Sequence, residues 1–251
     1  MFSPHSLTKA VLTALLFASV IESFGKSPPA RPDRVALSRK FYEPTIKAAV
    51  ENAGLQYPPN ELFLRVFKFE NALEVWARND PDSPMALVVE FPLVDVRARG
   101  PKRAEGDRLT PEGCYRIVDF NPESAGYLSL RLNYPNLSDR IRGDHKKPGK
   151  DIFIHGGGYS TGCITVSFPE IAQLYLLALD TQRKPIQVHI FPHKLHLTAE
   201  EVASKPMTDA NPKLLAFWTE LRPIYDAFEE SKTVPNVVIT KEGRYVLEPK
   251  R

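Results

Sequence analysis

The stretch Ile152–Ser167 reads IFIHGGGYSTGCITVS. Two short runs, Asp151–His155 and Cys163–Ser167, are rich in Ile, Phe, Val and Thr and are separated by glycines, which predicts two strands joined by a glycine-rich loop. His155 then ends one strand and Cys163 opens the next. A cysteine needs a neighbouring base to become a thiolate at neutral pH, and histidine is the usual one. Gly162 leaves the backbone N–H groups beside Cys163 accessible, as an oxyanion hole requires. Residue chemistry alone leaves two readings open, a Cys–His nucleophile or a packed pair of small polar residues. A closed zinc site needs four ligands, and one cysteine with one histidine does not supply them, so neither a metal nor another cofactor is expected.

The order His155-Gly156, a three-residue spacer, then Ser160-Thr161-Gly162-Cys163 resembles the active-site motif of the L,D-transpeptidase catalytic domain family, the YkuD-type fold. That family carries His-Gly, a spacer and Ser-His-Gly-Cys. The short spacer here, and Thr161 in place of the second histidine, are similar to the YafK-like branch, with its pattern HG-x-x-x-S-x-G-C. Leu64–Lys68 (LRVFK), Gly100–Tyr115 (GPKRAEGDRLTPEGCY), Tyr134–Arg140 (YPNLSDR) and Val188–Pro192 (VHIFP) extend the resemblance across Leu62–Pro192, and more weakly to Leu247. The resemblance implies a cysteine enzyme performing acyl transfer on peptidoglycan stem peptides through a thioester. It implies Cys163 as nucleophile, His155 as proton donor and acceptor, Gly162 as oxyanion backbone and Ser160 as loop support. Lys102, Tyr134 and Tyr159 would border the substrate. Two alternatives stay open. One is a hydrolase of the same fold, a carboxypeptidase or an amidase that releases an envelope lipoprotein from peptidoglycan. The other is a non-catalytic peptidoglycan-binding module. The partners implied are stem peptides and such a lipoprotein, with the chain acting as a monomer.

Met1–Gly25 reads as a secretory signal: Lys9, an apolar core Ala10–Ile21 too short to span a bilayer comfortably, then Ser23 and Gly25 at cleavage spacing. A retained anchor is the competing reading. Export to a periplasm is expected, because the resemblance implies peptidoglycan as substrate. The full chain has 33 basic and 30 acidic residues, net +3, too mild a balance to point to nucleic acid. Basic clusters at Arg97–Arg103 and Arg140–Lys150 read as solvated loops. Cys114 and Cys163 are the two cysteines of the chain. A disulfide between them would remove the nucleophile, so Cys114 is expected to be a buried, inert thiol.

Periodicity lays out the rest. Lys26–Arg34 is a proline-rich linker. Val35–Ala53 has helical spacing, with Pro44 expected to break it or begin it. Leu62–Phe69 with Ala72–Ala77, Met85–Val96, Cys114–Phe120 with Tyr127–Leu132, and Lys184–Pro192 read as strands. Asn133–Lys150 reads as a long polar loop. Ser167 and Glu170 form a capping box before the apolar run IAQLYLLAL. His189 reads as a strand histidine with a local hydrogen bond. Leu214–Glu230 is amphipathic, with Pro223 expected to kink it, and Val237–Thr240 with Arg244–Leu247 close as a hairpin. The expected layout is signal peptide 1–25, linker and N-terminal helix 26–60, catalytic domain 61–192, and a helical extension with hairpin 193–251. The expected fold class is mostly β with flanking helices (α+β), a mixed sheet bent toward a sandwich or barrel with C-terminal helices. The YkuD-like form comes from the resemblance.

Overall fold

A computed structural model describes residues 32–96, 100–181, 184–195 and 212–248. The export signal expected at Met1–Gly25 lies outside the described residues, as do His196 and part of the Arg97–Arg103 cluster. Helix α1 (Arg34–Asn52) is followed by β1 (Glu61–Phe67), β2 (Ala72–Arg78), β3 (Ala86–Pro92), β4 (Gly113–Asn121) and β5 (Ser129–Leu132). Then come helix α2 (Leu137–Arg142), β6 (Phe153–Gly156), β7 (Ile164–Val166), α3 (Phe168–Asp180), β8 (Gln187–Phe191), α4 (Pro212–Ser231), and the hairpin β9 (Val237–Ile239) and β10 (Tyr245–Leu247).

Eight strands form one mixed sheet in the order β3-β2-β1-β8-β4-β5-β6-β7, and β9 pairs with β10 apart from it. The sheet curls until its two edges meet. Asp95, just beyond β3, bridges Thr165 of β7, and Val94 N–H donates to Thr165 O at 2.8 Å. Closure leaves little exposed edge, the usual liability of a sheet. The architecture is thus a nearly closed barrel with flanking helices.

Alternation along the strands sorts the side chains. Leu64 and Val66 of β1, Val75 of β2, Val188 and Ile190 of β8, Ile154 of β6 and Ile164 of β7 are fully buried in one apolar cluster with Ile171, Leu174 and Leu177 of α3. Each such burial contributes about 1.5–3 kcal/mol. The opposite face of β1 and β8 carries Phe67 and Phe191, which pack with Phe217, Trp218, Leu221 and Tyr225 of α4. Arg65 is buried on this face too, over the rings of Phe67, Tyr225 and Phe228.

Helix α3 starts where its sequence says. Ser167 Oγ accepts from Glu170 N–H, and Glu170 Oε2 accepts from Ser167 N–H at 2.7 Å. Both prolines in the long helices are tolerated: α1 runs unbroken through Pro44 and α4 through Pro223. The polar loop after β5 is not all loop. It contains α2, begun by a second reciprocal cap, Asn136 with Asp139.

Candidate active site

The strand register sets the face that His155 takes. Strands β6 and β7 are parallel, with Ile154 opposite Ile164 and His155 opposite Thr165. Paired residues of parallel strands point the same way and neighbours alternate. Ile154 and Ile164 face the core, so His155 and Thr165 project from the other face. Cys163 lies one residue before β7, beside the Phe153 end of β6, whose backbone N–H acts on the thiol.

The imidazole is oriented by its own chain. His155 Nδ1 lies 2.9 Å from Gly156 O. A carbonyl only accepts, so Nδ1 carries the proton and Nε2 keeps its lone pair. Gly126 packs on the ring: an added Cβ there would stand 2.6 Å from both His155 Nδ1 and Gly156 O. The Cys163 sulfur is half-buried, and it lies 3.8 Å from Asp151 O, which accepts the thiol proton. Burial pushes the thiol above its ordinary range. Phe153 N–H, the Lys102 charge and the Ser160 hydroxyl pull it back, and the Asp151 charge opposes them. The resting thiol is thus neutral near pH 7 and needs a base.

The loop between the two strands is braced from within and from outside. Ser160 Oγ donates to Cys163 O at 2.8 Å and accepts from Gly162 N–H at 3.0 Å. Ser160 N–H in turn donates to Asp95 Oδ2 at 3.0 Å, which ties the loop to the seam that closes the barrel. Gly162 sits at φ +135° with Leu109 O 2.7 Å from where a Cβ would be. Only glycine fits that approach. The Gly162 N–H is occupied by Ser160 Oγ.

The segment 100–112 forms the opposite wall. Lys68, fully buried at the end of β1, donates to Gly100 O, Thr110 O and Glu112 Oε1 at 2.6–2.9 Å. Trp218 of α4 donates to the other Glu112 oxygen at 2.8 Å. Lys102, also buried, reaches Ala104 O and Asp107 Oδ1 at 2.9 and 2.7 Å. Lys102, Glu105, Lys150, Asp151, Thr161 and Cys163 line one cavity of about 260 Å³. Of the other expected site residues, Tyr134 turns its hydroxyl to Pro148 O at 2.6 Å and packs near Tyr115, bracing the 133–150 loop. Tyr159 stands 68% exposed in the glycine loop. His189 lies on β8, and its Nδ1 has no hydrogen-bond partner, contrary to the local bond expected for it. Among the described residues no group of three His, Cys, Asp or Glu side chains could hold a metal.

Three residues of the site carry no motif of their own: Gly126, Asp95 and Asp151. Asp151 holds φ +56°, an uncommon conformation outside glycine, which turns its carbonyl toward the thiol. The sequence offered a weak signal for it in Gly149-Lys150-Asp151 just ahead of β6.

No family model matches the chain. Over 198 residues, 74% of this chain and 73% of the relative, it is 30% identical to YafK of Escherichia coli, which carries a provisional L,D-transpeptidase name. The chain belongs to the YafK-like branch of the L,D-transpeptidase family. Among solved structures, the helical cell shape determining protein Pgp2 of Campylobacter jejuni aligns over 78% of this chain and 80% of its own, with 18% identity and a TM-score of 0.43. A point variant of Pgp2 aligns at 23% identity and a TM-score of 0.46 over 64% of this chain, and the match spans 57% of the variant's length. Bd1075 of Bdellovibrio bacteriovorus aligns at 23% identity and a TM-score of 0.40, over 68% of this chain and 63% of its own.

Proposed function

We propose that the chain is a peptidoglycan-directed cysteine hydrolase that forms a thioester at Cys163 and passes the acyl group to water. Supporting this reading is the opening of the half-buried Cys163 thiol onto a cavity, with His155, whose Nδ1 lies against Gly156 O, on the strand that pairs with β7. His155 Nε2 takes the thiol proton as sulfur attacks the carbonyl carbon of a stem-peptide bond. The N–H groups of Thr161 and Cys163 receive the developing oxyanion. The C–N bond breaks, and His155 returns its proton to the leaving amine. Water then attacks the thioester with His155 again as base, and the C–S bond breaks to restore the thiol.

Water rather than an amine is favoured by the cavity, whose lining beside Cys163 is polar and charged and holds Thr161 where transpeptidases carry a second histidine. The bond cut is that of a stem peptide or of a lipoprotein attached to one. We infer action outside the cytoplasm from the signal-like Met1–Gly25. One observation favours a second reading, a peptidoglycan-binding module without turnover: the thiol proton rests on Asp151 O and not on His155.

Mass spectrometry of muropeptides after incubation with the mature protein tests the proposal. The substrates are tetrapeptide muropeptides with and without an added D-amino acid, and lipoprotein-linked muropeptides. Shortened stems or freed lipoprotein support hydrolysis. Exchange products or new cross-links replace it with transfer. Unchanged substrates with Cys163 reduced and accessible favour the binding module.

A further inference from the structure

Lys102 stands out in this cavity because it is 4% exposed, a poor placement for gripping a polymer that arrives from solvent. Its ammonium has three donors. Two are spent on Ala104 O and Asp107 Oδ1, and among the described residues the third has no partner. The cavity it lines is the one onto which Cys163 opens. We propose that Lys102 is an electrostatic positioning residue for the nucleophile: it stabilises the Cys163 thiolate as it forms, instead of binding substrate. The proposal rests on the reading of Cys163 as nucleophile.

Several features hold the ammonium in place for that task. Gly149, at φ +92°, leaves room for the lysine stem, since a Cβ there would stand 2.8 Å from Lys102 Cε. Asp107 orients the ammonium and offsets part of its charge. Its carboxylate also accepts N–H groups of Arg103, Ala104 and Leu109 at 2.7–3.0 Å, which spreads its charge into the backbone. Burial works against ionisation of Asp107, but Lys102 and these N–H groups outweigh it and hold the carboxyl below its usual range. Lys68 pins both ends of the segment through Gly100 O and Thr110 O, so the lysine cannot swing away with its loop.

The charges around the thiol come from two segments: Lys102 and Glu105 from the 100–112 segment, and Lys150 and Asp151 from the turn before β6. Lys150 pairs with Asp151 at 3.8 Å, both well exposed, so solvent screens them. The buried Lys102 is screened least, and its influence on the thiol opposes that of burial.

The test uses the full mature chain with Cys114→Ala, so that one thiol reports. Alkylation of Cys163 by iodoacetamide is timed across about pH 6 to 11.5 for this parent and for Lys102→Met, Lys102→Gln and Lys102→Arg. Losing the charge moves the alkylation midpoint to higher pH, by about one unit, and slows the reaction near neutrality about tenfold. Lys102→Arg keeps the parent midpoint. The glutamine variant retains donors for Ala104 O and Asp107 and serves if the methionine variant does not fold. An unchanged midpoint in a folded, uncharged variant overturns the proposal, as does an arginine variant shifted as far as methionine. A second readout is turnover of muropeptides: a fall in kcat with KM held supports the proposal, and a rise in KM with kcat held assigns Lys102 to substrate binding and overturns it. Alkylation needs no substrate. A shifted midpoint in a protein that turns nothing over therefore leaves this inference standing while the hydrolase reading falls.

Discussion

The sheet carries two cysteine–histidine combinations, and the proposed function assigns chemistry to only one of them. Cys114 of β4 and His189 of β8 are direct cross-strand partners, nearer in register than Cys163 and His155. His189 is buried edge-on against Phe63, with ring centres 4.7 Å apart. Burial, and then the Arg65 charge, push its pKa down to about 3, so it stays neutral and is a poor proton acceptor near pH 7. Burial alone raises the Cys114 thiol, with nothing to oppose it. Burial raises Cys163 as well, but an N–H group, a lysine and a hydroxyl work in the other direction. A cavity opens beside Cys163, and His155 Nδ1 lies against the Gly156 carbonyl. Nearness of the two residue types does not make a nucleophile. On the proposed reading, the donors, the cation and the access around them do.

The sharpest break in that comparison comes from removing each thiol. Cys163→Ala is expected to abolish muropeptide turnover, while Cys114→Ala keeps it within about twofold. Loss of activity in the Cys114 variant alone would exchange the roles of the two pairs. The histidines follow. His155→Ala should lower kcat by roughly 10²–10⁴-fold, the usual worth of a general acid–base. His189→Ala should leave kcat near that of the parent and reduce stability by about 1–3 kcal/mol, because it empties packing volume. Steady-state kinetics with thermal melts on both variants separates the two effects.

Much of this could be read in the chain before the fold was known, and the reasons differ by element. Strands β6 and β7 were legible because their β-branched runs are framed by glycines, and α3 because Ser167 and Glu170 precede a long apolar run. Helix α2 has the same kind of cap in Asn136 and Asp139, but only LSDRIR follows it, too short and polar to show a period. The closing seam was silent. Asp95 falls at the end of the strand-like run Met85–Val96, and its meaning comes from a strand that lies 70 residues further on. The free state of both thiols agrees with the sequence expectation that Cys114 forms no bridge. The family resemblance implies Lys102 and Tyr134 as substrate-bordering residues, yet Lys102 is held by Ala104 O and Asp107 and the Tyr134 hydroxyl by Pro148 O.

A subtler probe leaves both pairs chemically intact and moves one. Gly126→Ala drives a methyl against His155 Nδ1 and Gly156 O, and a displacement on the order of 1 Å can cost about 10²-fold in rate. Turnover should fall by about 10- to 100-fold while Cys163 stays accessible to alkylation. An unaffected kcat would mean that the His155 orientation does not matter.

The smallest expected difference is one of thiol reactivity. In the free protein both thiols lie above the ordinary range, so both should alkylate slowly at neutral pH and faster as pH rises. Cys163 should react about tenfold faster than Cys114 across that range, since only Cys163 has groups that pull its thiol back down. Equal rates in the native state would erase the electrostatic distinction between the two pairs.

Intact-protein mass spectrometry of the acyl-enzyme tests the central claim most directly. The mature chain is mixed with tetrapeptide or lipoprotein-linked muropeptides, quenched in acid within seconds, and digested to find the modified residue. A muropeptide-sized addition on the peptide carrying Cys163, labile to hydroxylamine and missing in Cys163→Ala, is the predicted result. Substrate consumed with no adduct on Cys163, or an adduct that persists in Cys163→Ala, would contradict the account.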